Sequence, residues 1–169
     1  MSARVSDRAV RTRPMRPDDW PRVAEIYAEG IATGLSTFET EVPTWERWDR
    51  DHLPGQRLVA VDGDDVLGWA ALSRVSIRDV YRGVAEVSVY VAGDARGRGV
   101  GELLLDDIVA NADAAGIWTV EAIIFPENAT SVAMAESCGF RVVGRRERLG
   151  ELDGEWRDVL LLERRGPSP

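Results

Sequence analysis

The sequence predicts a single mixed α/β domain, and three observations carry that expectation. Short apolar or alternating runs bounded by Gly, Pro and Asp read as strands, interleaved with segments whose apolar residues recur at helical spacing. Strand–helix–strand units fill the second half and imply some parallel pairing. At 169 residues, 44% hydrophobic and 30% charged, the chain fills one core and would starve a second.

Residues 1–8 are expected to be a loose lead and 166–169 a loose tail, leaving 9–165 as the folded unit. A first strand is expected over Val10 to Met15. Arg16-Pro17-Asp18-Asp19-Trp20-Pro21 then supplies proline and aspartates for a helix entry, and Trp20, Val23, Ile26, Tyr27 and Ile31 give that helix one buried face to about Ala32. Gly34 to Glu41 is a polar connection carrying Phe38, and Pro43 to Asp51 reads as a second, short helix. Strands over Arg57 to Asp62 and Val66 to Ser73 are joined by Gly63-Asp64-Asp65, which has hairpin turn chemistry. Ala85 to Val91 is the next strand. After the break at Gly93 to Gly101, Val100, Leu104, Ile108 and Ala112 set a helical period. Trp118 to Phe125 reads as an apolar strand, Asn128 to Ser137 as a short helix, and Phe140 to Gly144 and Val159 to Glu163 as closing strands.

A formal net charge of -8 repels phosphate backbones and anionic lipid, which argues against nucleic acid or a membrane as partner. The one cysteine, Cys138, has no internal disulfide partner, and no window approaches a membrane span, so the chain reads as cytoplasmic. One His and one Cys do not supply the usual metal-ligand sets, so no metal is expected.

Three segments carry chemistry. Arg96-Gly97-Arg98-Gly99-Val100-Gly101 lies between a strand and a helix start, where glycines let backbone N–H groups crowd a ligand and the helix N-terminus suits a pyrophosphate; a plain connecting turn is the alternative. In Ala85-Glu86-Val87-Ser88-Val89-Tyr90-Val91, alternation puts Glu86, Ser88 and Tyr90 on one face. Desolvated in a cleft, the Glu86 carboxylate would accept a proton from an amine, whereas solvated or ion-paired it would be structural. Asn128 is an N-cap by type whose amide also suits a ligand bearing amides.

In order and spacing, Val89-Tyr90-Val91, Arg96-x-x-Gly99-x-Gly101, Asn128 and Ser137-Cys138-Gly139-Phe140 resemble the GNAT acetyltransferase superfamily. Tyr27, Ser36-Thr37-Phe38-Glu39-Thr40, Val80-Tyr81 and Gly154-Glu155-Trp156-Arg157-Asp158-Val159 resemble its phosphinothricin acetyltransferase branch. Within that branch, Gly116-Ile117-Trp118-Thr119 and Ile124-Phe125-Pro126-Glu127-Asn128 resemble the arsinothricin-resistance type. The resemblance implies a mixed, mostly antiparallel twisted sheet flanked by helices, with a splayed central strand pair. It implies acetyl-CoA as co-substrate, held at Val89, Tyr90, Val91, Asn128, Ser131 and the loop Arg96, Gly97, Arg98, Gly99, Val100, Gly101. Glu86 would be the base, acting directly or through water, for the α-amine of phosphinothricin, arsinothricin or methionine sulfoximine or sulfone.

Phe38 would wall the acceptor pocket, and Arg78 and Tyr81 would grip the acceptor's anionic group, with Arg74 added on charge alone. A homodimer is implied as well. Where relatives place Tyr or His in the last helix, this chain has Ala135, which leaves the general acid unassigned. His52, Arg145, Arg146 and Arg148 are expected on the surface, the arginines balanced by Glu147 and Glu151. Cys138 and the Trp residues Trp20, Trp45, Trp48, Trp69 and Trp118 are expected in packing, and Trp156 at the substrate end or a dimer contact. Two rival readings stand beside this one: a peptide or protein N-terminal acetyltransferase, and an acyl-CoA-binding sensor without turnover.

Overall fold

In the computed structural model, which describes residues 9–167, seven strands form one sheet in the order β1-β2-β3-β4-β5-β7-β6. The strands are β1 (Arg11–Pro14), β2 (Arg57–Asp62), β3 (Asp65–Arg74), β4 (Val84–Val91), β5 (Thr119–Ile124), β6 (Arg141–Leu152) and β7 (Glu155–Arg165). Only β4 and β5 run parallel, joined by the crossover helix α3 (Val100–Ala114); every other neighbouring pair is antiparallel. The other helices are α1 (Trp20–Ala32), α2 (Trp45–Asp51) and α4 (Ala129–Ser137).

The helices cover opposite faces because consecutive strand residues point opposite ways. Trp69 of β3 meets Tyr27 of α1 at 5.4 Å and Trp48 of α2 at 5.6 Å between ring centroids. Its neighbour Gly68 lies instead against Leu104 and Val100 of α3. Trp20, Trp45 and Trp48 cluster at 5.6–6.0 Å and seat α2 on α1, as expected of packing residues. Asp19 fixes the 3-10 turn Pro17–Asp19 that leads into α1, accepting from the Arg16 N–H at 2.7 Å while binding both terminal nitrogens of Arg13 at 2.8 Å.

Three expectations need correction. β6 and β7 extend far beyond Phe140–Gly144 and Val159–Glu163, to a two-residue turn at Asp153 (φ 50) and Gly154 (φ 82). Their polar outer half has no hydropathy signature; backbone pairing holds it, with a register shift between Arg146 and Gly150. Asp158 pins that bulge, accepting from the Arg148 N–H at 2.8 Å and from Arg145 Nη2 at 2.6 Å, so Asp158 rather than Glu147 or Glu151 balances Arg145. Gly166 is also no loose end, since its N–H donates to Trp118 O at 2.9 Å. Residues 1–8 and 168–169 lie outside the described residues.

Candidate active site

The site begins where the sheet opens. β4 pairs with β3 from Arg74↔Ala85 to Gly68↔Val91, but with β5 only over Val84↔Thr119, Ala85↔Val120 and Glu86↔Glu121. Beyond Glu86 the two strands part. The Ala92 N–H donates to Leu67 O at 2.8 Å. Backbone groups alternate sides along a strand, so even-numbered residues of β4 bond to β3, whereas Val87, Val89 and Val91 aim their N–H and C=O groups into the gap.

Two cavities meet at this gap. The first, of about 450 Å³, runs between the ends of α1 and β4 and the starts of α3 and α4, lined by Val89, Tyr90, Val91, Arg96, Gly97, Gly99, Val100, Gly101, Asn128 and Ser131. Gly97 and Gly99 have φ of +74° and +75°, the left-handed region that a side chain resists. A Cβ on Gly101 would lie 2.9 Å from Met134 Sδ, so α3 and α4 approach because that position is bare. This channel, walled by an α3 N-terminus and free strand amides, fits a long ligand ending in phosphates. Arg96 is exposed and makes no ion pair among the described residues. Arg98 turns away to Asp62 at 3.2 Å and does not line the cavity. Asn128 caps α4, accepting from the Ser131 N–H at 3.3 Å, and its Nδ2 donates to Leu35 O at 3.2 Å.

The second cavity, of about 350 Å³, is lined by Glu86, Ser88 and Tyr90 of β4 and by Tyr27, Phe38, Glu39, Arg47, Asp51, His52, Ser73, Phe125 and Ala135 among others. Ser36, Val89, Tyr90, Ser131 and Met134 belong to both walls, so the cavities share a junction at the middle of β4. Glu86 makes no ion pair or hydrogen bond among the described residues. Burial, then repulsion from Glu121, pushes its carboxyl above the ordinary glutamate range, the setting of a proton acceptor working near neutral pH. The Tyr27 and Tyr90 phenols are likewise pushed up, chiefly by burial, and keep their protons.

Phe38 meets Phe125 at 4.9 Å and would touch any Cβ on Gly150, 2.9 Å away, so the extended β6–β7 hairpin forms the outer support of the cavity. Arg157 of β7 ties the segment before Phe38, donating to Gly34 O at 3.1 Å with its guanidinium 4.2 Å from the centre of Phe125.

The structure does not bring Arg74, Arg78 or Tyr81 to this cavity. All three are exposed, Arg78 over the Tyr81 ring at 5.4 Å. Arg47, which no motif in the sequence singles out, is the arginine on the wall, 3.6 Å from Glu39 and 3.7 Å from Asp51. His52 also corrects an expectation: it is half-buried against Trp48, not on the surface, and lines the cavity. Buried Ala135, 2% exposed, has no proton to give. Glu102 and Asp106 of α3 and Cys138 just past α4 gather within 4.8 Å, but the Cys138 thiol is pushed up to about 11 by burial and these carboxylates, which disfavours a thiolate ligand.

Residues 20–140 match the family model described as Acetyltransferase (GNAT) family. A phosphinothricin N-acetyltransferase of Alcaligenes faecalis is 34% identical, over 92% of this chain and 82% of its own length. An L-methionine sulfoximine/L-methionine sulfone acetyltransferase of Pseudomonas paraeruginosa is 31% identical, over 96% and 94%. The crystal structure of a GNAT superfamily phosphinothricin acetyltransferase from Sinorhizobium meliloti, in complex with acetyl-CoA, superposes with a TM-score of 0.84 at 29% identity, over 93% of this chain and 89% of that one. With a sheet that opens beside Glu86 and a glycine loop at the start of α3, this chain belongs to the GNAT acetyltransferase family.

Proposed function

We propose that the chain acetylates the α-amino group of a small amino-acid analogue, with acetyl-CoA as donor. One observation carries the reading: a cofactor-sized channel and a smaller cavity meet on β4, and an unpaired, proton-seeking carboxylate, Glu86, stands in the wall of the smaller one. The names of the relatives support an acceptor of the phosphinothricin or methionine sulfoximine and sulfone type, and arsinothricin has the same design, an α-amino acid ending in a tetrahedral polar group.

In this reading the Gly97–Gly101 loop and the α3 N-terminus hold the pyrophosphate, and the free amides of β4 hold the pantetheine arm and polarise the thioester carbonyl. Glu86 accepts the ammonium proton, directly or through water; the free amine attacks the thioester carbon, the C–S bond breaks to release the thiolate, and the new amide nitrogen sheds its second proton to solvent. Holding the two reactants at the shared junction supplies much of the rate. With Ala135 in the wall, the departing thiolate takes its proton from solvent; thiols ionise close enough to neutrality for that. Arg47 faces the acceptor carboxylate in place of Arg78. The chain acts as a homodimer, in which a second copy covers Ile77, 95% exposed, and Val80, 59% exposed. It works in the cytoplasm, where its donor is found.

The test is thiol release from acetyl-CoA with phosphinothricin, arsinothricin, methionine sulfoximine, methionine sulfone, plain amino acids and a short peptide. Turnover of an analogue but not of the peptide is expected. Turnover of the peptide alone would make this a peptide acetyltransferase, and acetyl-CoA binding with no turnover of any acceptor would make it a sensor.

A further inference from the structure

His52 is the one histidine of the chain, and nothing in the reaction described above uses it. Its ring lies 4.2 Å from the Trp48 ring at 24°, and its edge meets Trp69 at 6.3 Å and 89°. Nδ1 stands 2.7 Å from Trp48 O. A carbonyl oxygen can only accept, so Nδ1 carries the proton and the neutral ring leaves Nε2 with a bare lone pair. Nε2 has no hydrogen-bond partner among the described residues, nor is it one of their buried, unpartnered atoms, so it keeps access to solvent, and His52 lines the cavity together with Ser73 and Glu86. Ser73 and Glu86 are register partners across β3 and β4, and the Leu53 N–H, next along the chain from His52, donates to Leu72 O at 2.8 Å. The backbone beside the imidazole is thereby anchored to β3, one residue from the register partner of Glu86.

We propose that His52 is an acceptor-binding residue, whose Nε2 receives a hydrogen bond from the ammonium group of the acceptor while Glu86 receives another. This rests on the acetyl-transfer reading and adds to it a second group that holds the amine. An ammonium offers three N–H bonds, and a cavity that must orient it needs more than one acceptor.

The surroundings keep the ring neutral and so able to accept. Burial pushes its pKa below the ordinary imidazole value; the bond to Trp48 O opposes this, Arg57 lowers it further and Asp51 raises it. Arg57 holds the same turn, donating to His52 O at 2.7 Å with its guanidinium 5.2 Å from the centre of the Trp48 ring. Arg47, Glu39 and Glu86 line the same cavity as the ring.

Because the histidine is single, protein prepared without a histidine tag gives one imidazole spin system by 15N NMR. The expected spectrum at neutral pH has Nδ1 protonated and Nε2 bare, and saturation with methionine sulfone or phosphinothricin moves the Nε2 resonance. In kinetics, His52→Asn keeps a donor for Trp48 O but lacks the distal acceptor, and is expected to raise the acceptor KM about tenfold or more, as for loss of a hydrogen bond to a charged group. Its KM for acetyl-CoA stays within about twofold of wild type, and His52→Gln, which can place an amide oxygen near the Nε2 position, recovers most of the loss. An Nε2 resonance unmoved by either amine overturns the proposal, as does a His52→Asn acceptor KM equal to wild type or a KM for acetyl-CoA that rises in step. Wild-type turnover is scored separately: its absence with every acceptor overturns the acetyl-transfer reading, while the NMR titration still decides whether His52 meets the amine.

Discussion

Glu86→Gln separates two consequences of burying an unpaired carboxylate. The substitution keeps the shape of the side chain and removes its charge. For activity, loss of a general base costs on the order of 10²- to 10⁴-fold in kcat/KM. For stability the sign is opposite. Among the described residues Glu86 makes no ion pair or hydrogen bond, and its register partner on β5 is another carboxylate, Glu121. The folded state therefore binds the Glu86 proton more tightly than the unfolded state does. Below the ordinary glutamate pKa both states are protonated and the site carries no penalty. As pH rises through that value the unfolded chain ionises first, and stability falls until the raised folded pKa is passed. Leaving a buried polar or charged group without a partner costs about 1–3 kcal/mol, and the glutamine amide retains part of that. A gain of about 1 kcal/mol for Glu86→Gln at pH ~8 is expected, or roughly 2–4 °C in Tm for a chain of this length. Differential scanning fluorimetry from pH ~4 to ~8, run beside thiol-release kinetics, reads both effects, and the Tm difference should close towards pH ~4. A variant less stable than wild type at pH ~8, or one that keeps activity within about tenfold, would refute the reasoning.

Gly30→Ala gains about 1 kcal/mol of helix propensity, but the new Cβ lands 2.5 Å from Tyr90 Cδ1, in a ring held between Tyr27 at 4.8 Å and Trp69 at 4.9 Å. Overpacking of about 1–3 kcal/mol wins, so a lower Tm is expected in thermal melts together with reduced kcat, since Tyr90 lines both cavities. Arg96→Gln should raise the KM for acetyl-CoA more than Arg98→Gln does, because Arg98 is committed to Asp62 at 3.2 Å; an equal effect in steady-state kinetics would count against the assignment. Arg157→Met frees Gly34 O and the Phe38 segment and should raise the acceptor KM several-fold with a smaller loss in kcat, measured with the best acceptor of the panel.

Local chemistry was legible in the sequence wherever it depends on near neighbours. The alternation of β4 put Glu86, Ser88 and Tyr90 on one face, and all three line the acceptor cavity. The glycines at 97, 99 and 101 lie at the start of α3, and Asn128 caps α4. What the sequence hid depends on residues distant along the chain. Repulsion between Glu86 and Glu121 exists only because a parallel crossover aligns them. His52 looked isolated, yet Trp48 and Trp69 carry it to the cavity wall. The hairpin beyond Gly144 has too little apolar pattern to announce itself, although Asp153-Gly154 is the dipeptide that a tight two-residue turn prefers. Charge alone nominated Arg74, and the family resemblance nominated Arg78 and Tyr81; neither signal reports which way this loop faces.

The segment between α1 and α2 touches both substrates' cavities: Leu35 and Ser36 line the channel, while Ser36, Thr37 and Phe38 line the acceptor side. Asn128 holds it at Leu35 O from one end of the channel and Arg157 holds it at Gly34 O from the hairpin. Any shift of this segment is felt by both ligands, and thermodynamic linkage requires that the factor by which one tightens the other be the same in either direction. Acceptor preference is then least costly to change at residues outside this shared segment, Arg47 and His52 foremost. Those positions let a lineage explore new amines without disturbing its hold on the common donor.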